Sequence, residues 1–584
     1  MSDSARAFMA FALIALVLIL TKPYLEWLRP PIEPVPEPIG EDFPAQRPEI
    51  APGNIIEPVP EAVPQEAPAA PVPPAVTQSA PERTVVLETA LYTAVVSTQA
   101  GGSLKSFELK NYPSRQEEGP VQLIGRALEP RNLELAYINL EGDSVYLQGS
   151  YETLQFPSLN RVTLDDGELI MKFRRTFPSG TSVTKQLTFQ ANSYLIPIKI
   201  EWRSPELELG INTFEVGWYD GLPPAEALIK EEETYGKVYV YQGGELGKQG
   251  SAGKERVTRQ TLKGSTDWVA LRNKYFAAAL IAQKGNPASF GAFSASSSQW
   301  LATANNNGYL TQYSMAIGYP ADSPVEMNLY LGPLSYFIIK DLDVGLDRIM
   351  NLGFSLIRPI SKLALFSLVY LHDWIPNYGV VLILFAIAIR VVTNPLTKKS
   401  FTSTQKMQIV QPRVKELQEK YKGNAQKLNK EMMALWKSEG VNPLGGCLPI
   451  LIQLPLLWAL FIVFRTTIEL RGQPFIWWVK DLSAPDVIFM LPFSIPVYGQ
   501  GVTVLALIMG VTMFVQQKLS GAGANPQQKP MMYFMTAFFF LIFNQFPSGL
   551  NLYYAFSNIL AIIQQRSIRK GLTAQEGNPA GAKG

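Results

Sequence analysis

In a chain of 584 residues, the groups able to do chemistry are few and unevenly placed. There is one histidine and one cysteine. The single Cys447 excludes a disulfide within the chain, a cysteine zinc site and a dithiol redox pair, and no cysteine near the N-terminus offers a lipid attachment point. The single His372 excludes histidine metal clusters and leaves at most one imidazole for acid–base work. No metal site, no cofactor and no enzymatic activity are expected. The acidic run Glu231-Glu232-Glu233 has no matching ligands at useful spacing, so it reads as solvated surface rather than a metal or glycosidase site.

Arg390 is different. It lies twelve residues into an apolar run that begins at Tyr378, about 18 Å along a helix, and no acidic residue occurs in any neighbouring apolar run. A central arginine costs about 2.5–3.5 kcal/mol on membrane-insertion scales, so it persists where water or an anionic guest reaches it. The alternative is that it snorkels toward the headgroups near Thr393–Lys398. Arg465 precedes Glu469 by four residues at a helix end, where pairing and snorkelling explain it. Gln453, Asn544, Gln545, Asn558 and Gln564 place polar groups along the same runs, either as interhelical glue or as the wall of a polar pocket.

These residues need elements to hold them, and composition says which. Charged residues make up 17% of the chain and hydrophobic ones 47%, with a net charge of +2; a soluble domain carries about a quarter charged residues. The chain therefore reads as a membrane protein with a soluble part. Ala7–Thr21 is an uncharged run after Arg6 with no small-x-small cleavage site behind it, which predicts an uncleaved N-terminal anchor over 1–29. Pro30 to Pro81 holds sixteen of the 45 prolines; proline fixes φ and donates no hydrogen bond, so 30–82 reads as an extended tether.

Over 83–340 the pattern turns to period two. Ile196, Ile198, Ile200 and Trp202 alternate with Pro197, Lys199, Glu201 and Arg203, the signature of a half-buried strand. Asp166-Gly167 between Arg161–Leu164 and Leu169–Phe173 reads as a hairpin, and Val85–Ser97 and Gly236–Gln242 as further strands. The expected fold is a large antiparallel β-sandwich. Residues 341–376 are apolar but interrupted by charges, suited to lying at the membrane surface with His372 as an interfacial residue.

From 377 to 570 we count five spans. The first, from Tyr378, ends soon after Arg390; the second covers Gly440–Phe464. The third begins near Gln500, after a segment broken by Pro492, Pro496, Gly499 and Gly501. Pro530–Gln565 is uncharged for 36 residues, a helix of about 54 Å if unbroken, well beyond a hydrocarbon core of ~30 Å. It must fold back at Phe546-Pro547-Ser548-Gly549. Spans this short should thin the bilayer locally.

Thr397–Asn442 contains ten Lys/Arg against four Glu, whereas Leu470–Gly499 has Arg471 and Lys480 balanced by Asp481 and Asp486. The cationic loop rule therefore places the basic segment and both termini in the cytoplasm and the β domain outside, in the periplasm of a diderm bacterium. Ser400–Glu419 and Asn424–Glu439 read as a helical hairpin over 397–442, with Asn424 as N-cap and Gly440 as stop, either solvated or docking a cytoplasmic partner. Residues 571–584 form a tail.

The motif Met432-Met433-Ala434-Leu435-Trp436-Lys437, followed by Asn442-Pro443-Leu444-Gly445-Gly446-Cys447-Leu448-Pro449-Ile450-Leu451-Ile452-Gln453-Leu454-Pro455, resembles the signature of the YidC/Oxa membrane protein insertases. Asn394-Pro395-Leu396-Thr397-Lys398 after Arg390, and Phe546-Pro547-Ser548-Gly549-Leu550 before Tyr553-Tyr554, resemble the family as well. The layout of the whole chain is similar: anchor, large periplasmic domain, amphipathic helix and five-span core.

The resemblance implies a supersandwich-like periplasmic domain and an insertase and chaperone for inner-membrane proteins, acting alone or with the Sec translocon. It implies a hydrated groove, open to cytoplasm and lipid and closed outside, with Arg390, Gln453 and Asn558 facing it. Leu451, Leu454, Pro455, Phe539 and Phe543 would belong to the slide that substrate helices contact. Lys415, Lys420, Lys427 and Lys430 would belong to the cytoplasmic capture hairpin. The implied partners are nascent inner-membrane proteins, the Sec translocon, membrane lipids and a ribosome or targeting receptor, with no nucleic-acid recognition beyond ribosome contact. The tail after Lys570 carries only Glu576 and Lys583, so it lacks the basic character that relatives often use for ribosome docking. The tether and the Phe493–Gly501 insertion look longer than usual and suggest no function.

Two other classes can be weighed from sequence. A secondary transporter would show matched broken helices and ion-relay carboxylates, which five unequal spans without a buried acid do not. An anchored carbohydrate-binding or envelope-assembly protein would leave the basic hairpin and the polar groove unexplained. It would also lose its activity on deletion of 83–330, whereas an insertase core should keep most of its own.

Overall fold

The computed structural model describes residues 81–116, 118–125, 131–138, 144–204, 213–227, 229–249, 257–298, 310–440, 448–520 and 529–576. The expected anchor and tether, the tail beyond 576 and the Asn442–Cys447 part of the motif lie outside them. Thr77–Ala524 with Met535–Gly584 forms one compact unit, which contains the β domain and most of the described helices.

Among the described residues the β domain is built on two sheets, one of five strands and one of 14. Its alternation works as the sequence pattern requires. In the strand Leu195–Arg203, Ile196, Ile198 and Ile200 are buried while Lys199 and Glu201 face outward, and they share one apolar core with Val85 and Leu87 of the smaller sheet. Asn132 ties the sheets together, accepting from Leu104 N and donating to Leu104 O, each at 2.8 Å.

Four readings need correction here. The Asp166-Gly167 turn exists, with Gly167 at φ 77°, but it does not close a hairpin. Glu168–Thr176 pairs with Ser182–Gln190 in the large sheet. Arg161–Thr163 pairs in parallel with Thr84–Glu88, setting Val162 opposite Leu87, so the domain is not purely antiparallel. Val85–Ser97 is two strands, Thr84–Glu88 and Tyr92–Ser97, paired antiparallel around a turn. The acidic run lies on a short helix, α1 (Ile229–Tyr235), and Glu232 is not solvated. It is 4% exposed, and its Oε1 accepts from Ala225 N and Glu226 N at 2.7 Å each. A carboxylate that satisfies two buried backbone donors is a structural device rather than a ligand set.

After the last strand come α2 (Tyr336–Asp341) and α3 (Arg358–Trp374). α3 is amphipathic: Ala364, Leu365 and Leu368 are buried while Leu363, Tyr370 and Trp374 are more than 60% exposed. The helical region follows as α4 (Tyr378–Lys420), α5 (Ala425–Ser438), α6 (Leu448–Thr466), α7 (Val504–Ser520), α8 (Lys529–Phe543) and α9 (Ser548–Glu576). Among the described residues one helical segment, Tyr378–Pro395, is long and apolar enough to cross a membrane, with shorter apolar segments at Leu454–Thr466 and Val504–Leu519. The 530–565 run does fold back before Ser548, as its length demands. The first arm of the basic hairpin is not a separate helix: α4 runs unbroken for 43 residues through Pro395 and Pro412. Between α6 and α7 the chain forms a two-stranded hairpin, Val487–Ile495 with Gly499–Thr503.

Candidate functional site

Arg390 sits on α4, half-buried, five residues before Pro395. Its Nε and Nη2 are enclosed and find no hydrogen-bond partner among the described residues. Tyr553 of α9 lies within electrostatic reach, and its ring packs near Phe385, Phe464 and Tyr554. Pro395 supplies no N–H to the Val391 carbonyl one turn back, and Thr393 and Thr397 turn their hydroxyls onto the Ile389 and Thr393 carbonyls at 2.8 and 2.7 Å. Within a turn of the half-buried Arg390 the helix thus has a carbonyl without its usual donor and two that accept from threonine hydroxyls.

The polar residues of the helices divide into distinct roles. Asn558 Nδ2 donates to Thr512 Oγ1 at 3.4 Å, joining α9 to α7, and Gln564 donates to Asn394, joining α9 to α4. Gln517 accepts from Thr536. These are interhelical bonds. Leu451 and Gln453 fall in the first turns of α6. Leu454 is 47% exposed and Pro455 half-buried, whereas Phe543 is 7% exposed and packs among Phe539, Phe546 and Tyr554. Phe543 thus packs at the α8–α9 turn. Trp458, which no sequence motif singles out, is 55% exposed one turn beyond Leu454.

The end of the helices opposite the basic hairpin is closed by specific contacts. Asn377 caps α4, accepting from Val380 N at 3.1 Å and donating to Phe475 O at 3.3 Å. Asn544 donates to Tyr498 O and Gly501 O and accepts from Thr503 N and Oγ1. Ser548 Oγ donates to Asp481 O at 2.7 Å. Here the β domain is joined to the helices by a buried ion cluster. Arg471 Nε donates to Glu226 Oε1 at 2.6 Å, Arg115 Nη1 to Glu226 Oε2 at 2.5 Å, and Arg115 Nη2 to Asp481 and Ser483. In sequence Arg471 and Asp481 look like loop charges; the partners lie hundreds of residues away, and no local pattern announces them.

At the other end, α4 and α5 form an antiparallel pair. Val410 and Val414 pack with Met432 and Leu435, Arg413 pairs with Glu439, and Asn424 Oδ1 accepts from Lys427 N at 3.0 Å as the predicted cap. Lys415, Lys420, Lys427 and Lys430 are all exposed, and Lys420 and Lys427 approach the Tyr421 ring at 5.7 and 5.4 Å.

Comparison with known proteins fits this division of the chain. Residues 370–575 match the model of the 60Kd inner membrane protein family, and residues 84–363 match that of the YidC periplasmic domain. A membrane protein insertase YidC of Chlorobium luteolum is 34% identical over 97% of this chain and 95% of its own length. The insertase YidC proteins of Chlorobium limicola and Pelodictyon phaeoclathratiforme are 35% and 36% identical, over 83% and 85% of this chain and 82% and 84% of theirs. The chain, with its β-rich domain and its helical C-terminal region, belongs to the YidC family of membrane protein insertases, inner-membrane proteins that carry a periplasmic domain.

Proposed function

We propose that this insertase works by solvation rather than bond-making. A nascent hydrophobic segment slides along the lipid-facing side of α6 near Leu454 and Trp458, while its short polar or acidic flank rests against Arg390 until it crosses. The observation that carries this reading is the Arg390 guanidinium. It is permanently charged, it stands in a span with no acidic residue in α4 before Glu416 or anywhere in α6, α7 or α8, and two of its enclosed nitrogens lack partners among the described residues. An unmet buried donor costs about 1–3 kcal/mol, which a hydrated groove or an anionic guest returns.

Short spans assist. The 17 residues of α7 extend about 26 Å, less than the ~30 Å of a typical hydrocarbon core, so the bilayer thins where the polar flank must pass. By the cationic loop rule the α4–α5 hairpin and both termini are cytoplasmic, the core has five spans behind an N-terminal anchor, and the β domain is periplasmic. The exposed hairpin lysines capture substrate and meet a ribosome or targeting receptor. The same machine acts alone or beside the Sec translocon, and as a chaperone for spans already in the lipid.

Photo-crosslinking tests the path. With a stalled single-span nascent chain, a photoreactive residue at Leu454 should give strong adducts and one at Val463, which is fully buried, none. Equal adducts from both positions, or none from Leu454, would remove α6 from the path.

A further inference from the structure

We infer that the Val487–Thr503 hairpin is a membrane-seated wedge whose partner is the headgroup–acyl boundary of the outer leaflet, on both of its faces. Val487, Ile488, Phe489, Met490 and Phe493 are each between 45% and 62% exposed. Successive strand residues point to opposite faces, so Phe489 and Met490 expose apolar side chains on both sides of the ribbon. A protein partner or a second copy would cover one face and leave the other apolar face in water. A lipid boundary covers both.

The hairpin's second strand and its Val497–Tyr498 turn are held at the level of the outer helix ends. Asn544, at the α8–α9 turn, donates to Tyr498 O at 2.9 Å and Gly501 O at 2.5 Å, and Gln545 donates to Val497 O at 2.6 Å. Asp486 Oδ2 accepts from Val504 N and Leu505 N, so the second strand passes directly into α7. No charged residue occurs from Val487 to Gln517. Beside the hairpin, Trp477 is 83% exposed and stacks on Trp478, an aromatic pair of the kind that sits at headgroup depth.

Backbone chemistry sets the depth. A ribbon of two strands leaves edge groups unpaired beyond those that Asn544 and Gln545 meet, which hydrocarbon does not tolerate. The boundary does, because water and headgroups reach those edges, and Pro492 removes one N–H from the first strand. The wedge therefore lies shallow and holds the α7 entry and the α8–α9 turn at the outer interface. This rests on the family's place in the membrane and not on the role proposed for Arg390, so either can fail without the other.

The test uses the full chain in nanodiscs of phosphatidylcholine and phosphatidylglycerol. Cys447→Ala removes the native thiol, and nitroxides are attached at Phe489→Cys, Met490→Cys and Phe493→Cys, with Asp166→Cys as the water-exposed reference. We expect loss of nickel–ethylenediaminediacetate collisions relative to Asp166→Cys at all three positions, retained oxygen collisions, and stronger broadening by lipids doxyl-labelled near the headgroup than by those labelled mid-chain. Nickel access equal to that of the reference places the hairpin in water and overturns the proposal. So does a lipid signal at Phe489→Cys without one at Met490→Cys, or exclusion of both reagents, which mean coverage by protein. Three separate labels keep the result readable if one variant misfolds.

Discussion

Replacing Arg471 by methionine tests whether the ion cluster locks the β domain to the outer ends of the helices. The Arg471 side chain is 1% and that of Glu226 3% exposed, with their charges 2.6 Å apart. Removing one partner of such a pair costs about 3–5 kcal/mol, because the other charge stays buried. Glu226 keeps Arg115 at 2.5 Å, so the loss belongs at the lower end, about 3 kcal/mol, or on the order of a hundredfold in the local opening equilibrium. Glu226→Gln leaves Arg471 among neutral carbonyls, Pro113 O at 2.7 Å and Ala225 O at 3.4 Å, at a similar cost. The double variant leaves neither charge buried alone, and Arg115 keeps Asp481. The two penalties should therefore fall short of additivity by about 2–3 kcal/mol. Native-state hydrogen exchange at the Arg471 and Leu482 amides, which donate to Ile468 O and Gln473 O, reads the local opening in the full chain. Singles that each change protection by less than about 0.5 kcal/mol, or a double variant equal to their sum, would refute the lock.

Two further perturbations address single groups. Burial pushes the Glu232 carboxyl from an ordinary 4.5 up to about 7, so between those values the folded chain holds a proton that the unfolded chain has released. β-domain stability should therefore fall by roughly 3 kcal/mol as pH rises across that window and level off above it. Glu232→Gln, which keeps an acceptor for Ala225 N and Glu226 N, should flatten the fall when denaturant unfolding is compared at pH 5 and pH 8; an unchanged slope would count against it. Asp486→Ala removes the carboxylate that accepts from Val504 N and Leu505 N at 3.1 and 2.9 Å. It should cost about 1–2 kcal/mol of local stability, read as faster exchange at those two amides, and unaltered exchange would contradict the capping role.

Local chemistry was legible in the sequence wherever a few neighbouring residues decide the outcome. Asn424 caps its helix, Gly167 makes its turn, and the overlong apolar run folds back before Ser548, because side-chain oxygen, positive φ and bilayer thickness act over a few residues. Pairing across the chain was not legible. The Asp166-Gly167 turn joins two sheets because Val162 prefers Leu87, a strand 75 positions upstream, and alternation alone cannot select that partner. The charges of Arg471 and Glu226 look like solvated loop charges until folding buries them together, and the same is true of Glu232, whose backbone donors lie six and seven residues away. The first arm of the basic hairpin read as a helix of its own, yet α4 continues into it through Pro395, since one missing donor does not outweigh the turns on either side. In the site itself, Arg390 stood out from sequence because an unpaired cation in an apolar run is costly anywhere, whereas the burial of Phe543 and the bond from Asn558 to Thr512 depend on packing.

The central claim is that a permanent cation at position 390 lowers the barrier for a polar flank to cross. Its most direct measurement is insertion of a small single-span substrate with an acidic flank in cells depleted of this protein and rescued with wild type, Arg390→Lys or Arg390→Ala. Wild type should restore insertion, Lys should restore most of it, and Ala should fail on the acidic flank while still inserting a substrate whose flank is neutral. Normal insertion during depletion, or rescue by Ala equal to that by Lys for the acidic flank, would contradict the account.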